Sequence, residues 1–71
     1  MPYVNIRITQ EGATSQQKAE LIKGVTDLLV HVLNKSPATT FVTIDEVATE
    51  NWGVGGMPVE EFRRQTQNQQ I

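Results

Sequence analysis

Cysteine is absent from this chain of 71 residues, so no disulfide staples it and no thiolate is available as a metal ligand. His31 is the one imidazole, and a lone imidazole without thiolates excludes a His/Cys metal centre. No apolar run approaches the ~20 residues that span a bilayer. No charged-then-apolar leader precedes the first strand-like segment, and the expectation is a soluble, cytoplasmic protein. Basic clusters are missing too. Lys and Arg total 6 against 8 Asp and Glu, a formal charge of −2, and Arg63-Arg64 is the largest cationic group. Nucleic acid is therefore not an expected partner. Gly53-Val54-Gly55-Gly56 lacks the Lys-Ser/Thr that completes a phosphate loop. A chain this short buries too little surface to be comfortably stable alone, and small domains add disulfides, a metal or partner subunits. With the first two excluded, homo-oligomerisation is what remains.

The apolar patterning is that of one βαβ unit. Val4, Ile6 and Ile8 alternate with Tyr3, Asn5, Arg7 and Thr9, the period of a strand. Gln10-Glu11-Gly12-Ala13 breaks the alternation. Thr14 offers a hydroxyl N-cap, and Gln17 stands three residues on, where a capping box places a Glu or Gln. Leu21, Ile22, Val25, Leu28, Leu29, Val32 and Leu33 then form one helical stripe. Gln16, Glu20, Lys23, Asp27 and His31 lie on the other side, with His31 and Asp27 as i,i+4 neighbours. Asn34 and Pro37 end the helix.

Phe41-Val42-Thr43-Ile44 begins a second strand that runs on through Asp45-Glu46-Val47. Asp45 and Glu46 are adjacent, so they face opposite ways and cannot act as a paired acid and base. Trp52-Gly53-Val54-Gly55-Gly56 reads as a glycine turn or short hairpin. Val59 to Arg64 reads as one helical turn. The amide-rich Gln65 to Ile71 has no apolar period and is expected to be a disordered tail, leaving a single domain over residues 1–64. Strand, helix and strand make a crossover with parallel strands, normally right-handed. Its sheet edges stay open, and open edges pair with another chain.

Met1-Pro2 carries the candidate chemistry. Initiator Met is generally removed before a small residue, which would leave Pro2 as the amino terminus. An N-terminal proline is a secondary amine in a rigid ring, and ordinary α-amino groups titrate near ~7.7–8.0. A modest shift leaves such an amine free to act as a base at neutral pH, with no Cys, Ser or His motif required. With Met1 retained, Pro2 is a tertiary amide without a basic lone pair.

Pro2 heading a strand, the capped helix with Gln17-Lys18 in its first turn, the Ile44-Asp45-Glu46-Val47 strand end and Trp52-Gly53-Val54-Gly55-Gly56 form one ordered series. In that order and spacing, over residues 2 to about 64, the chain resembles the 4-oxalocrotonate tautomerase family, and within it the small DmpI-type homologues. The resemblance implies an α+β fold of the β-α-β tautomerase type. Two chains would form a four-stranded sheet backed by two helices, and three such dimers a homohexamer. It also implies a cofactor-free, metal-free keto-enol tautomerase, an isomerase acting on 2-hydroxy-dienoates or the enols of 2-oxo acids. Pro2 would be general base and then acid, and Trp52 would wall a neighbouring chain's pocket.

The departures from the family pattern bear on substrate. Members acting on dicarboxylates carry an arginine after the glycine of the first turn and another in the second strand. Those positions fall on Ala13 and Phe41, so both carboxylate-binding guanidinia are gone, along with their charge-assisted pairs. Arg7, Arg63 and Arg64 are the remaining candidate cations; Arg7 also reads as a surface or interface residue, Phe41 as packing and Trp52 as an interface anchor. Two other functions suit the same residues. One is an oligomeric scaffold or binding module that kept the fold and lost the chemistry. The other is a hydratase or dehalogenase of unsaturated acids, for which no water-activating carboxylate can be assigned.

Overall fold

The alternation in the first segment becomes strand β1, Tyr3–Thr9, and the second becomes β2, Phe41–Val47. The two pair in parallel, Tyr3 opposite Phe41 through to Thr9 opposite Val47. The computed structural model describes residues 1–69. Between the strands runs helix α1, Ser15–Leu33. Its start is fixed by a capping box: Thr14 Oγ1 accepts from the Gln17 amide at 3.1 Å, and Gln17 Oε1 accepts from the Thr14 amide at 2.9 Å. Its end is fixed by Asn34 in the left-handed region, φ 54°, where a short polar side chain is tolerated. A single 3-10 turn, Pro37–Thr39, capped by Ser36, leads into β2.

Alternation sorts the sheet into two faces. Val4, Ile6, Ile8, Val42 and Ile44 are half-buried, on the side where Lys18 of α1 reaches Glu46. Tyr3, Asn5, Arg7, Phe41, Thr43 and Asp45 are exposed on the open side. There the side chains form a polar ladder: Tyr3 Oη to Thr43 Oγ1 at 2.7 Å, then Asn5 Nδ2 donating to Thr43 Oγ1 at 2.8 Å and to Asp45 Oδ2 at 3.0 Å.

Beyond β2 a 3-10 turn at Thr49–Asn51 leads to a hairpin of β3, Gly53–Val54, and β4, Met57–Pro58. Gly55 and Gly56 make its turn at φ 63° and 83°, the region that glycine occupies without strain. Helix α2 then runs Val59–Gln69. This corrects the expected single turn over Val59–Arg64 followed by a disordered tail; Gln70 and Ile71 lie outside the described residues. The physical reason is that Val59, Phe62 and Thr66 share one face at i, i+3 and i+7 and are the shielded residues over 59–66. The Phe62 ring packs on the hairpin, 3.2 Å from where a Cβ on Gly55 would sit. Gln is also a good helix former once docking has supplied a nucleus.

The single chain is incomplete. Its radius of gyration is 16.4 Å, with extents of 47 × 22 × 22 Å, against about 11 Å expected of a compact domain of this length. Val59, 7% exposed, is the one buried apolar residue among those described. The α1 stripe is wider than two strands can cover: Val25 and Leu29 are half-buried, while Leu21, Ile22, Leu28, Val32 and Leu33 remain exposed.

Candidate active site

Parallel pairing brings the two strand starts together. The Phe41 amide donates to the Pro2 carbonyl at 3.0 Å, so the half-buried Pro2 is held directly beside the start of β2. Tyr3 and Phe41 are cross-strand neighbours on the open face at this same end. Met1 projects into solvent, 83% exposed.

Ala13 and Trp52 lie at the opposite end. Both follow the strand C-termini, which the Gln10 amide ties together by donating to the Val47 carbonyl at 2.7 Å. Seven strand residues separate the ends by about 23 Å. Ala13 lines a hollow of about 510 Å³ with Gln17, Glu20 and Leu21; Pro2 is not among its walls. Trp52 is half-buried at the foot of the hairpin, its amide donating to Thr49 at 3.2 Å and its carbonyl accepting from Val59 at 2.8 Å. One chain thus unites Pro2 with Phe41 and Ala13's turn with Trp52's hairpin, and separates the two pairs. A pocket containing all four requires more than one chain.

The electrostatics disposes of two candidate cations. Arg7 is engaged by Asp45 at 3.4 Å on the open face. Arg63 grips Glu11, fifty-two positions away in sequence: Nη1 donates to Oε1 and Nη2 to Oε2, the latter at 3.1 Å. The Thr9 hydroxyl also donates to Glu11, and Glu60 faces Arg63 at 3.3 Å. Hydrogen bonds from Arg63 and then Thr9 hold the Glu11 carboxyl down to about 2, and Glu11 in turn raises Arg63. Both arginines therefore already hold a carboxylate. Arg64 is exposed on α2. Asp45 and Glu46 face opposite ways as their adjacency requires, Glu46 reaching Lys18 at 2.9 Å. His31 and Asp27 are exposed on α1 as the i,i+4 neighbours expected, and Asp27 is paired with Lys23 at 2.7 Å. Glu11 is the residue that sequence reasoning missed, since nothing local marks a partner so distant. Among the described residues no three His, Asp or Glu side chains converge to hold a metal ion.

A family model described as Tautomerase enzyme matches residues 2–61. The chain is 63% identical over 65 residues to the protein named probable tautomerase K2 of Dickeya dadantii, covering 92% of this chain and 97% of that one. The crystal structure of DmpI from Helicobacter pylori superposes with a TM-score of 0.82 at 48% identity, covering 89% of this chain and 97% of that one. A heterohexameric 4-oxalocrotonate tautomerase from Chloroflexus aurantiacus superposes with a TM-score of 0.80 at 28% identity, over 89% of this chain and 100% of that one.

Proposed function

We propose, from the premise that this chain belongs to the tautomerase family and is an isomerase of the tautomerase type, that Pro2 is its general base once Met1 is removed. The substrate class is a 2-hydroxy-dienoate or the enol of a 2-oxo acid. The proline nitrogen takes the proton of the enol hydroxyl, the carbonyl forms, and the same nitrogen returns the proton to carbon. One proton moves and nothing is oxidised or reduced. The observation that carries the reading is the placement of Pro2: half-buried, fixed through its own carbonyl to the Phe41 amide, with an exposed Met1 open to processing. Partial burial disfavours the ammonium and lowers the amine's pKa.

The pocket is composite. Trp52 and the Ala13 turn of one chain wall the pocket of another chain's Pro2, in a homo-oligomer larger than a dimer, a hexamer by analogy with the relative that forms one. Ala13 and Phe41 stand where guanidinia would grip a second carboxylate, and Arg7 and Arg63 are already paired. Monocarboxylate or aromatic enols are therefore the preferred substrates over dicarboxylates.

Ketonisation of phenylenolpyruvate and of 2-hydroxymuconate, followed by ultraviolet absorbance, tests both statements. Pro2→Ala should abolish turnover, and a Met-retaining fraction identified by mass spectrometry should be inactive. Equal rates in wild type and Pro2→Ala would remove Pro2 from the mechanism, and equal rates at a residual level would favour the scaffold reading. A tenfold preference for the diacid in kcat/KM would mean that another cation serves the pocket.

A further inference from the structure

We propose that Arg63 and Glu11 form a positioning clamp that locks the Trp52 hairpin onto the Ala13 turn, so that the two pocket-building pieces of one chain are presented to its neighbour as a single wall. The inference rests on the composite pocket proposed above and adds two residues to which that reading gives no role.

The mechanical path is continuous. Arg63 lies on α2, one position past Phe62, whose ring packs over Gly55 of the hairpin turn. Val59, the buried residue at the head of the same helix, donates its amide to the carbonyl of Trp52 at 2.8 Å. Trp52, hairpin and α2 are thus one body. Glu11 lies on the other body, in the turn between β1 and α1, two residues before Ala13 and three before the Thr14 cap.

Among the described hydrogen bonds, the Arg63–Glu11 pair is the one that joins α2 to the β1–α1 layer. The backbone link between bodies is the short passage from Val47 through the 3-10 turn at Thr49–Asn51. With Val59 the one buried apolar residue among those described, no packed core among them does this work instead.

The geometry suits a clamp better than a generic surface pair. Two parallel N–H···O bonds fix the plane of the guanidinium against the carboxylate as well as its distance. Thr9, at the end of β1, orients the carboxylate from behind, and Glu60 one turn earlier on α2 orients the guanidinium. An isolated exposed ion pair contributes little, but a bidentate pair within a network is the exception. Lysine, a point charge on a flexible stem, cannot reproduce the fork. Arg63 so engaged is withheld from substrate; its effect reaches the neighbour's pocket only through the placement of Trp52 and Ala13.

The test is a double-mutant cycle of Arg63→Met and Glu11→Gln, with Arg63→Lys as a fourth variant, on the Met-processed oligomer. Trp52 is the only tryptophan, so acrylamide quenching of its fluorescence reports the wall without reference to activity. Each single variant should raise the quenching constant about twofold or more and raise KM for phenylenolpyruvate about fivefold, with kcat held within about twofold. The double variant should do no more than either single, because the two residues act as one device. Arg63→Lys should behave like Arg63→Met. Sedimentation confirms that each variant keeps the wild-type assembly before it is scored. Unchanged quenching or unchanged KM in the singles overturns the clamp, as does a double variant whose effects are the sum of the two. Should Pro2→Ala retain turnover, the proposed base falls while the KM and quenching comparisons still decide the clamp.

Discussion

Removing the exposed stripe of α1 should take the assembly apart and unfold the chain with it. Leu28 and Val32 are 59% and 65% exposed in the single chain, one turn apart on the same helical face. Fully burying a Leu or Val side chain gains about 1.5–3 kcal/mol, so the surface still open at each leaves about 1–2 kcal/mol to be gained against a partner. Leu28→Ala with Val32→Ala forfeits most of this, about 2–4 kcal/mol per chain. In a two-fold contact both copies lose it, about 4–8 kcal/mol per dimer. At 1.4 kcal/mol per factor of ten, the dissociation constant rises by about three to six orders of magnitude.

Sedimentation velocity from nanomolar to high micromolar concentration measures the shift, and circular dichroism on the same samples reads folding. The two midpoints should move together, because the separated chain keeps one buried apolar residue among those described and an elongated shape. Control substitutions at exposed polar positions of the other helical side, Gln16→Ala and Glu20→Ala, should leave both readings in place. A double variant whose dissociation constant moves less than tenfold refutes the assignment of this face to an interface. A folded monomer at any concentration refutes the claim that the chain has no core of its own.

Three further outcomes follow from local geometry. Thr14→Ala removes one half of the capping box and should cost about 1 kcal/mol, read as a lower thermal midpoint; Thr14→Ser should restore it. Gly55→Ala should loosen the hairpin, because the position has φ 63° and its Cβ would lie 3.2 Å from the Phe62 ring; increased hydrogen exchange at the Val59 amide is the readout. Glu11, held down to about 2 chiefly by Arg63 and then by Thr9, contributes stability that is present above its unfolded value near ~4.3 and is lost as pH falls towards 2. Acid titration of wild type should therefore show a loss in that window that Glu11→Gln lacks, and identical curves would exclude the pair as its source.

Legibility followed the range of the interaction. The strands, the capping box, the Asn34 stop and the glycine turn rest on residues within a few positions of each other, and each stands where its local signal placed it. The reach of α2 was not legible, because Gln65 onward has no period of its own and the helix owes its length to docking Val59 and Phe62 against the hairpin. The Glu11–Arg63 pair was beyond any local pattern for the same reason, joining two segments that only tertiary structure brings together. Pro2 and Trp52 could be singled out in the sequence, but their separation by a whole strand length is a consequence of parallel pairing. Candidate residues placed at opposite ends of one chain read as an incoherent site until a second chain is considered.

On the proposed mechanism, that separation would tie base strength to assembly. A proline ammonium loses its proton more readily when it is desolvated or faces other cations. Ala13 and Phe41 supply no cation, and Arg7 and Arg63 are neutralised by Asp45 and Glu11. Desolvation must then carry most of the shift. In the single chain Pro2 is only half-buried, and Trp52 and Ala13 lie a strand length of about 23 Å away. In the proposed composite pocket the missing cover is another copy's hairpin. On the proposed mechanism, oligomer contacts on α1 would thereby act on the secondary amine of Pro2 through one quantity, the fraction that is unprotonated at neutral pH, whereas the clamp acts on the placement of the wall. A dissociated chain would be short of a partner for its sheet edge and, on that mechanism, short of the dry surroundings proposed to make its terminus a base.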